Sequence, residues 1–416
     1  MKITVIGLGY IGLPNALLLA SSGHDVCGMD IDKNKIRNLN DGILPFEENG
    51  LDELFEEVRG SIKFSDHIEE SDCYVIAVPT PLDKEIKIAD LNSIREATKL
   101  IAEKIKEEDL IILESTVPPG TSRNFVIPIL KRAGVCSFYY SHCPERAIPG
   151  QTLHEMIHND RIIGGMDDRS TQITVDLYSS FVKGRLLRTD VTTAEFIKLM
   201  ENTYRDINIA LANEFALISE EIGIDVWEAI DLANLHPRVN ILKPGPGVGG
   251  HCIAIDPWFM VEKSSKSKIV TLAREINDYM PIQVVKLAKE LITSSGWPEW
   301  DSPKITILGM AYKGNVDDTR ESPTFKVRKI AESEGINVSL FDPMIMDDPN
   351  SENEFEKALE DSDCIILSTD HDWFKEVDPK RLLVRHKNLL DTRNFLDHER
   401  WKKAGFNVKV LGNGTP

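Results

Sequence analysis

The sequence predicts an α/β chain with two parallel-sheet domains joined by one long helix, and three stretches carry that reading. A short apolar run, Ile3-Thr4-Val5-Ile6, leads directly into Gly7-Leu8-Gly9-Tyr10-Ile11-Gly12 and a helical run from Leu13 to Ser22. A capping box, Thr192-Thr193-Ala194-Glu195, opens a helix that can run to about Glu221, where Gly223 stops it. Near the C-terminus, Ser362-Asp363-Cys364-Ile365-Ile366-Leu367 echoes Ser71-Asp72-Cys73-Tyr74-Val75-Ile76. The expected architecture is two Rossmann-like domains joined by a long central helix. Its segments are 1–190, 191–295 and 296–416.

Length and charge bound the function. A chain of 416 residues exceeds what one core organises. An apolar share of 42% with 28% charged residues is that of a globular protein. The net charge of −19 argues against nucleic acid and anionic membranes as partners, though not against a phosphorylated substrate in a cleft. Six cysteines (27, 73, 136, 143, 252, 364) lack CxxC spacing, which predicts reduced thiols and a cytoplasmic protein. The pairs His142-Cys143 and His251-Cys252 lack zinc-ligand spacing, so no metal is expected. Glycines 7, 9 and 12 and Pro14 break the apolar start. No run of 18 apolar residues occurs, so neither a signal peptide nor a membrane span is predicted.

The first domain reads as a dinucleotide binder. Gly7 permits the tight turn, Gly9 lets a pyrophosphate approach, and Gly12 lets helix pack on strand. A second strand, Asp25 to Met29, ends in Asp30, where a carboxylate meets the ribose hydroxyls and repels a 2′-phosphate. NAD is therefore expected over NADP, with Lys35 one turn beyond as a flanking cation. Further strands are expected at Cys73 to Val78, Leu110 to Leu113 and Phe138 to Ser141. They end in Thr80, in Thr116 and in Glu145-Arg146. Ligands of parallel sheets bind beyond such ends.

On the central helix, Lys198, Asn202 and Arg205 recur at i, i+4 and i+7 and share one face. Its second half, Ile207 to Ile218, is apolar on most sides and is expected to be buried in the domain or against a second subunit. Beyond it, Lys243 to Gly250 holds four glycines and two prolines in eight residues, a loop whose backbone can approach a ligand closely. Cys252 follows, then Asp256 and the anchors Trp258-Phe259. An accessible thiol on such a support suits a nucleophile. In the third segment, strands at Lys304 to Leu308 and Val338 to Phe341 flank Gly309-Met310-Ala311-Tyr312-Lys313-Gly314. The fingerprint glycines are missing, so a nucleotide rather than a dinucleotide is expected there, with Tyr312, Lys313 and Arg320 as contacts.

Five stretches together resemble the NAD-dependent nucleotide-sugar 6-dehydrogenases, the UDP-glucose/GDP-mannose dehydrogenase family. They are 7–12, Ser115-Thr116-Val117-Pro118-Pro119-Gly120-Thr121, Pro144-Glu145-Arg146, 195–202 and 249–257. Asn202-Thr203-Tyr204-Arg205-Asp206 and His236-Pro237-Arg238-Val239-Asn240 look most like the members that oxidise UDP-N-acetyl-D-mannosamine. The resemblance implies a four-electron oxidation of a UDP-sugar at C6 by NAD, through a thiohemiacetal and a thioester on Cys252. It implies Lys198 as acid/base or as cation beside the oxyanion, with Asn202 donating to the same oxygen. Asp256 and Thr116 would position water, and Glu145 would act as base. Gly7, Gly9, Tyr10, Ile11, Gly12, Asp30, Lys35, Thr80, Thr116 and Arg320 would hold NAD. Arg146, Ala147 (through its backbone), Lys198, Asn202, Arg205, His236, Arg238, Gly249, Tyr312 and Lys313 would line the sugar nucleotide. A homodimer or larger homo-oligomer through the central helix is implied. Oxidation of UDP-N-acetylglucosamine or UDP-glucose is the alternative within the family. A two-electron hydroxy-acid dehydrogenase would not need Cys252, and a non-catalytic NAD-binding regulator would share only the fold.

Overall fold

A computed structural model describes residues 1–135, 137–148, 150–296, 302–345, 348, 349 and 351–415; Cys136 lies outside them. The chain forms two compact units, Met1–Glu201 with Trp258–Lys266, and Asn202–Pro257 with Ser267–Pro416.

The first unit alternates strand and helix from its first residues. It comprises β1 (Lys2–Ile6), α1 (Gly12–Ser21), β2 (Asp25–Met29), α2 (Lys33–Asp41), α3 (Leu51–Val58), β3 (Ile62–Ser65) and β4 (Cys73–Ile76). A small hairpin, β5 (Leu82–Asp83) and β6 (Ile88–Ala89), precedes α4 (Asn92–Ala102) and β7 (Leu110–Leu113). Then come α5 (Ile127–Lys131), β8 (Tyr139–His142), α6 (Thr152–His158), β9 (Arg161–Gly165), α7 (Asp168–Tyr178) and β10 (Leu186–Asp190). Eight strands form one sheet in the order β10-β9-β8-β7-β4-β1-β2-β3, parallel throughout except at β8–β9. The central strands are buried on both faces, which is why they read as unbroken apolar runs. The chain leaves β1 toward β3, then returns to β4 on the other side. That reversal puts the carboxyl ends of β1, β4, β7 and β8 along one edge.

The helix α8 (Val191–Ile222) runs from the first unit into the second. Its cap differs from the predicted box. Asp190 accepts from the Thr192 and Thr193 N–H groups at 3.0 and 3.3 Å. Glu195 instead turns to the loop after β7. Nor is the second half buried all round in the single chain. Asp206 and Asn213 are buried there, whereas Leu211, Ile218 and Ile222 are exposed.

The second unit continues with α9 (Val226–Ala233), α10 (Asp256–Val261), which crosses into the first unit, and α11 (Lys268–Ser294). Its sheet elements are β11 (Lys304–Leu308), α12 (Pro323–Ser333), β12 (Asn337–Phe341), α13 (Phe355–Leu359), β13 (Cys364–Leu367), β14 (Asn388–Asp391), α14 (His398–Lys403) and β15 (Asn407–Val410). Five parallel strands stand in the order β12-β11-β13-β14-β15. The predicted repeat is real down to single hydrogen bonds. Gly7 N–H donates to Met29 O and Gly309 N–H to Phe341 O, both over 2.8 Å, and both glycines have φ near +93°. Asp72 accepts from the Lys2 N–H, and Asp363 from the Lys304 N–H, again both over 2.8 Å.

Candidate active site

The turn from β1 to α1 explains its glycines. A Cβ on Gly7 would lie 2.7 Å from the Ala77 carbonyl oxygen, and one on Gly12 would lie 1.8 Å from the Gly7 carbonyl oxygen. A Cβ on Gly9 would meet nothing within 4 Å, so the space over that turn is open. No side chain caps α1, which leaves its leading N–H groups to a phosphate. Tyr10 and Ile11 are half-buried, and Tyr10 stacks on Phe46. At the end of β2, Asp30 accepts from the N–H groups of Leu8 (2.9 Å) and Asp32 (3.0 Å) and pairs with Lys35 over 2.8 Å. Burial opposes its charge, but Lys35 and those N–H groups outweigh it and hold the carboxyl below the usual range. Lys35 thus first serves Asp30. At the end of β4 the Thr80 hydroxyl is buried without a protein partner. A buried polar atom left so is costly unless a ligand completes it. Open space at Gly9, an anchored Asp30 and an orphaned hydroxyl at Thr80 fit a bound dinucleotide.

The loops after β7 and β8 are both fastened to α8. Glu195 accepts from the N–H groups of Gly120 (2.6 Å) and Ser122 (2.7 Å), fixing the loop that carries half-buried Thr116. Arg146 forks onto Glu201, 3.1 Å from Nε and 2.7 Å from Nη2. Glu145 is occupied on both oxygens. One accepts from the N–H groups of Arg146 and Ala147, and the other pairs with Arg161. The Ala147 N–H is therefore spent on Glu145. Arg161, buried at the start of β9, also pairs with Glu114 over 2.9 Å. Glu114 in turn accepts from Asn15 of α1 and from the Tyr178 hydroxyl. Lys198 is 9% exposed and has no ion pair among the described residues.

In the second unit the glycine-rich loop is fastened at both ends. Gly245 N–H donates to Asn213 over 2.9 Å, and Gly250 N–H to the Arg320 carbonyl over 2.9 Å. A Cβ on Gly249 would lie 2.7 Å from Tyr312 Cβ and 2.9 Å from the Glu321 carbonyl oxygen, so only glycine fits. Cys252 is exposed at the head of the next turn, and its carbonyl accepts from the Ile255 and Asp256 N–H groups. Asp256 is buried and accepts from the Asn202 side-chain amide over 2.6 Å. Lys198 stands one turn earlier on that helix. Burial pushes the Tyr312 hydroxyl up. Asp318 and Cys252 act the same way, while Arg320 and Arg205 oppose them, so these groups share one electrostatic neighbourhood. The Arg320 guanidinium forks onto Asp318. Arg205 and Lys313 are exposed. His236 and Arg238 are exposed on the loop after α9, where the Arg238 N–H faces His236 Nδ1.

The sequence reading missed Glu114, Arg161 and Arg393. Arg393, at the end of β14, would meet a Cβ on Gly245 at 2.8 Å from Nη1. A charge opening or closing an apolar strand, as Arg161 and Glu114 do, was the available signal. Among the described residues no group of His, Cys, Asp and Glu side chains could hold a metal, and no helix is long and apolar enough to cross a membrane. Burial pushes the His142 ring down to about 3.

The chain matches three models of the UDP-glucose/GDP-mannose dehydrogenase family: the NAD binding domain over 1–182, the central domain over 192–279 and the UDP binding domain over 306–398. It is 47% identical to a UDP-N-acetyl-D-mannosamine dehydrogenase of Methanococcus maripaludis, covering 100% of this chain and 97% of the relative. The structure of a UDP-D-ManNAc dehydrogenase from Pyrococcus horikoshii aligns with a TM-score of 0.94 at 39% identity, covering 100% of both chains. An NDP-N-acetyl-D-galactosaminuronic acid dehydrogenase of Ralstonia solanacearum is 40% identical over 96% of this chain and 97% of its own.

Proposed function

The chain belongs to the UDP-glucose/GDP-mannose dehydrogenase family, and from that premise we propose that it oxidises UDP-N-acetyl-D-mannosamine at C6 to the mannosaminuronate. The observation that carries the chemistry is the buried Asn202–Asp256 hydrogen bond. It ties the turn headed by Cys252 to the helix that presents Lys198.

Bound NAD supplies the hydride acceptor, once for the alcohol and once for the hemithioacetal. Lys198 takes the proton of the C6 hydroxyl as the aldehyde forms, and its charge then faces the carbonyl oxygen. The Asn202 amide donates to that same oxygen. The Cys252 thiolate adds to the aldehyde carbon, and the resulting tetrahedral centre can release the second hydride to leave a thioester. Water, oriented by Asp256 and Thr116, cleaves the thioester and returns the thiol. Glu145, held on both oxygens, shapes the 145–147 loop for the sugar nucleotide rather than abstracting a proton.

Tyr312, Lys313, Arg205 and Gly249 contact the UDP-sugar, with Arg146 and Ala147. His236 and Arg238 contribute donors for the acetamido group. Asp30, Thr80 and the glycines hold NAD, with Arg320 as an outer contact. Relatives named for two different sugars, N-acetyl-D-mannosamine and N-acetyl-D-galactosaminuronic acid, both carry the N-acetyl group, which supports it in the substrate. The segments 1–190, 191–295 and 296–416 act as NAD, catalytic and UDP domains. Tyr204, Leu211, Ile218 and Ile222 expose an apolar stripe along α8, which supports a homodimer through that helix. The scattered cysteines support a cytoplasmic enzyme.

The test is NADH formation from UDP-N-acetylmannosamine, UDP-N-acetylglucosamine and UDP-glucose at matched concentration. UDP-N-acetylmannosamine is expected to give the highest kcat/KM. A better rate with UDP-glucose defeats the substrate assignment.

A further inference from the structure

The loop that carries Tyr312 and Lys313 leaves β11 at Gly309 and is fastened by the segment that leaves β13. The Thr369 hydroxyl donates to the Ala311 carbonyl over 2.6 Å. A Cβ on Gly314 would stand 2.3 Å from the Asp370 carbonyl oxygen. Asn315 exchanges two hydrogen bonds with Asp372, at 2.7 and 2.9 Å. Its own φ is +60°, a left-handed conformation that asparagine tolerates better than most side chains.

At the centre of these contacts is His371, fully buried. Its partners fix its tautomer. The Asn315 N–H can only donate, so Nδ1 accepts that bond over 3.0 Å and the ring proton sits on Nε2. Nε2 donates to Asp342 Oδ2 over 3.1 Å. That same oxygen accepts from the N–H groups of Met310 (2.6 Å) and Ala311 (3.1 Å). One imidazole thus bridges both ends of the loop.

We propose that His371 is a positioning residue for the nucleotide sugar: by bridging Asp342 and Asn315 it fixes the backbone from which Lys313 reaches its ligand. This rests on reading Lys313 as a substrate contact. Lys313 is exposed and has no ion pair among the described residues, so the backbone alone sets where its ammonium can reach. His371 touches no substrate itself.

A double-mutant cycle on the full-length protein, with UDP-N-acetyl-D-mannosamine and NAD, tests it. His371→Leu is expected to raise KM for the sugar nucleotide about tenfold, with kcat within about threefold and KM for NAD within about twofold. His371→Gln keeps an acceptor and an amide donor and should recover most of the loss. In a Lys313→Ala background, His371→Leu should add less than about twofold. If Lys313→Ala leaves KM unchanged, the Lys313 assignment falls and takes this proposal with it. If Lys313→Ala raises KM and His371→Leu multiplies it by its full factor again, the proposal alone falls. Should His371→Leu fail to fold, His371→Asn, too short to span both partners, takes its place with the same outcomes.

Discussion

Asn202 and Asp256, 54 residues apart in sequence, meet through a 2.6 Å hydrogen bond with both side chains buried. Asp256 N–H also closes the turn onto the Cys252 carbonyl over 2.8 Å. The turn headed by Cys252 is therefore hydrogen-bonded to α8 through Asn202. Asn202→Ala would leave a buried carboxylate short of a donor, at a cost of about 1–3 kcal/mol. The variant is expected to lose a few degrees in Tm and on the order of a hundredfold in kcat. Asn202→Asp, which sets two carboxylates together, should be worse on both measures. Thermal melts with steady-state rates check this; an Asn202→Ala enzyme with wild-type kcat contradicts it.

On the proposed reading, Asp30 and its partner Lys35 set the choice of cofactor. Asp30→Ala removes the carboxylate and frees Lys35 toward a 2′-phosphate, so the preference for NAD over NADP should narrow by about tenfold to a hundredfold. Adding Lys35→Ala should reverse the gain for NADP. Ratios of kcat/KM decide both. The pH dependence has a definite sign. A carboxyl held below its ordinary range is charged above that range and loses its contribution only as pH falls through the lowered value. The contribution of the Asp30 carboxylate itself should therefore be constant above about pH 5 and fall only below it.

If Lys198 acts where charge develops, as proposed, Lys198→Ala should lower kcat on the order of a hundredfold to a thousandfold, with a smaller change in KM. Lys198→Arg should recover little, because a planar guanidinium does not replace a compact ammonium. A Lys198→Ala enzyme changed only in KM for the sugar would show a binding role instead.

The fold and the β1–α1 turn were legible because they follow local rules. The β1–α1 turn needs glycine at positions 7 and 12 for reasons of contact distance. The repeat at Asp72 and Asp363 was visible as matching letters and proved to be matching hydrogen bonds. What stayed hidden depends on long-range pairing. By its spacing Glu195 fits a cap of its own helix, yet it accepts from the loop N–H groups of Gly120 and Ser122. Glu145 accepts from two backbone N–H groups and pairs with Arg161, contacts that no local pattern announces. His371 gave no sequence signal, since a histidine before Asp372 announces nothing until β12 and β13 bring Asp342 beside it.

Cys252→Ala should abolish net uronate formation, a loss of a thousandfold or more on the order seen when a covalent nucleophile is removed. Cys252→Ser should accumulate an ester, because an alkoxide leaves less readily than a thiolate. Intact-mass spectrometry of the serine variant after a single turnover checks this; an unmodified protein with wild-type turnover contradicts it.

The most direct measurement is the stoichiometry of the wild-type reaction: NADH formed per UDP-N-acetyl-D-mannosamine consumed, with the product identified. Two NADH for each uronate is the predicted result, since the thiolate must carry the aldehyde carbon through the second oxidation. One NADH per sugar, with the aldehyde released as product, would contradict the role assigned to Cys252.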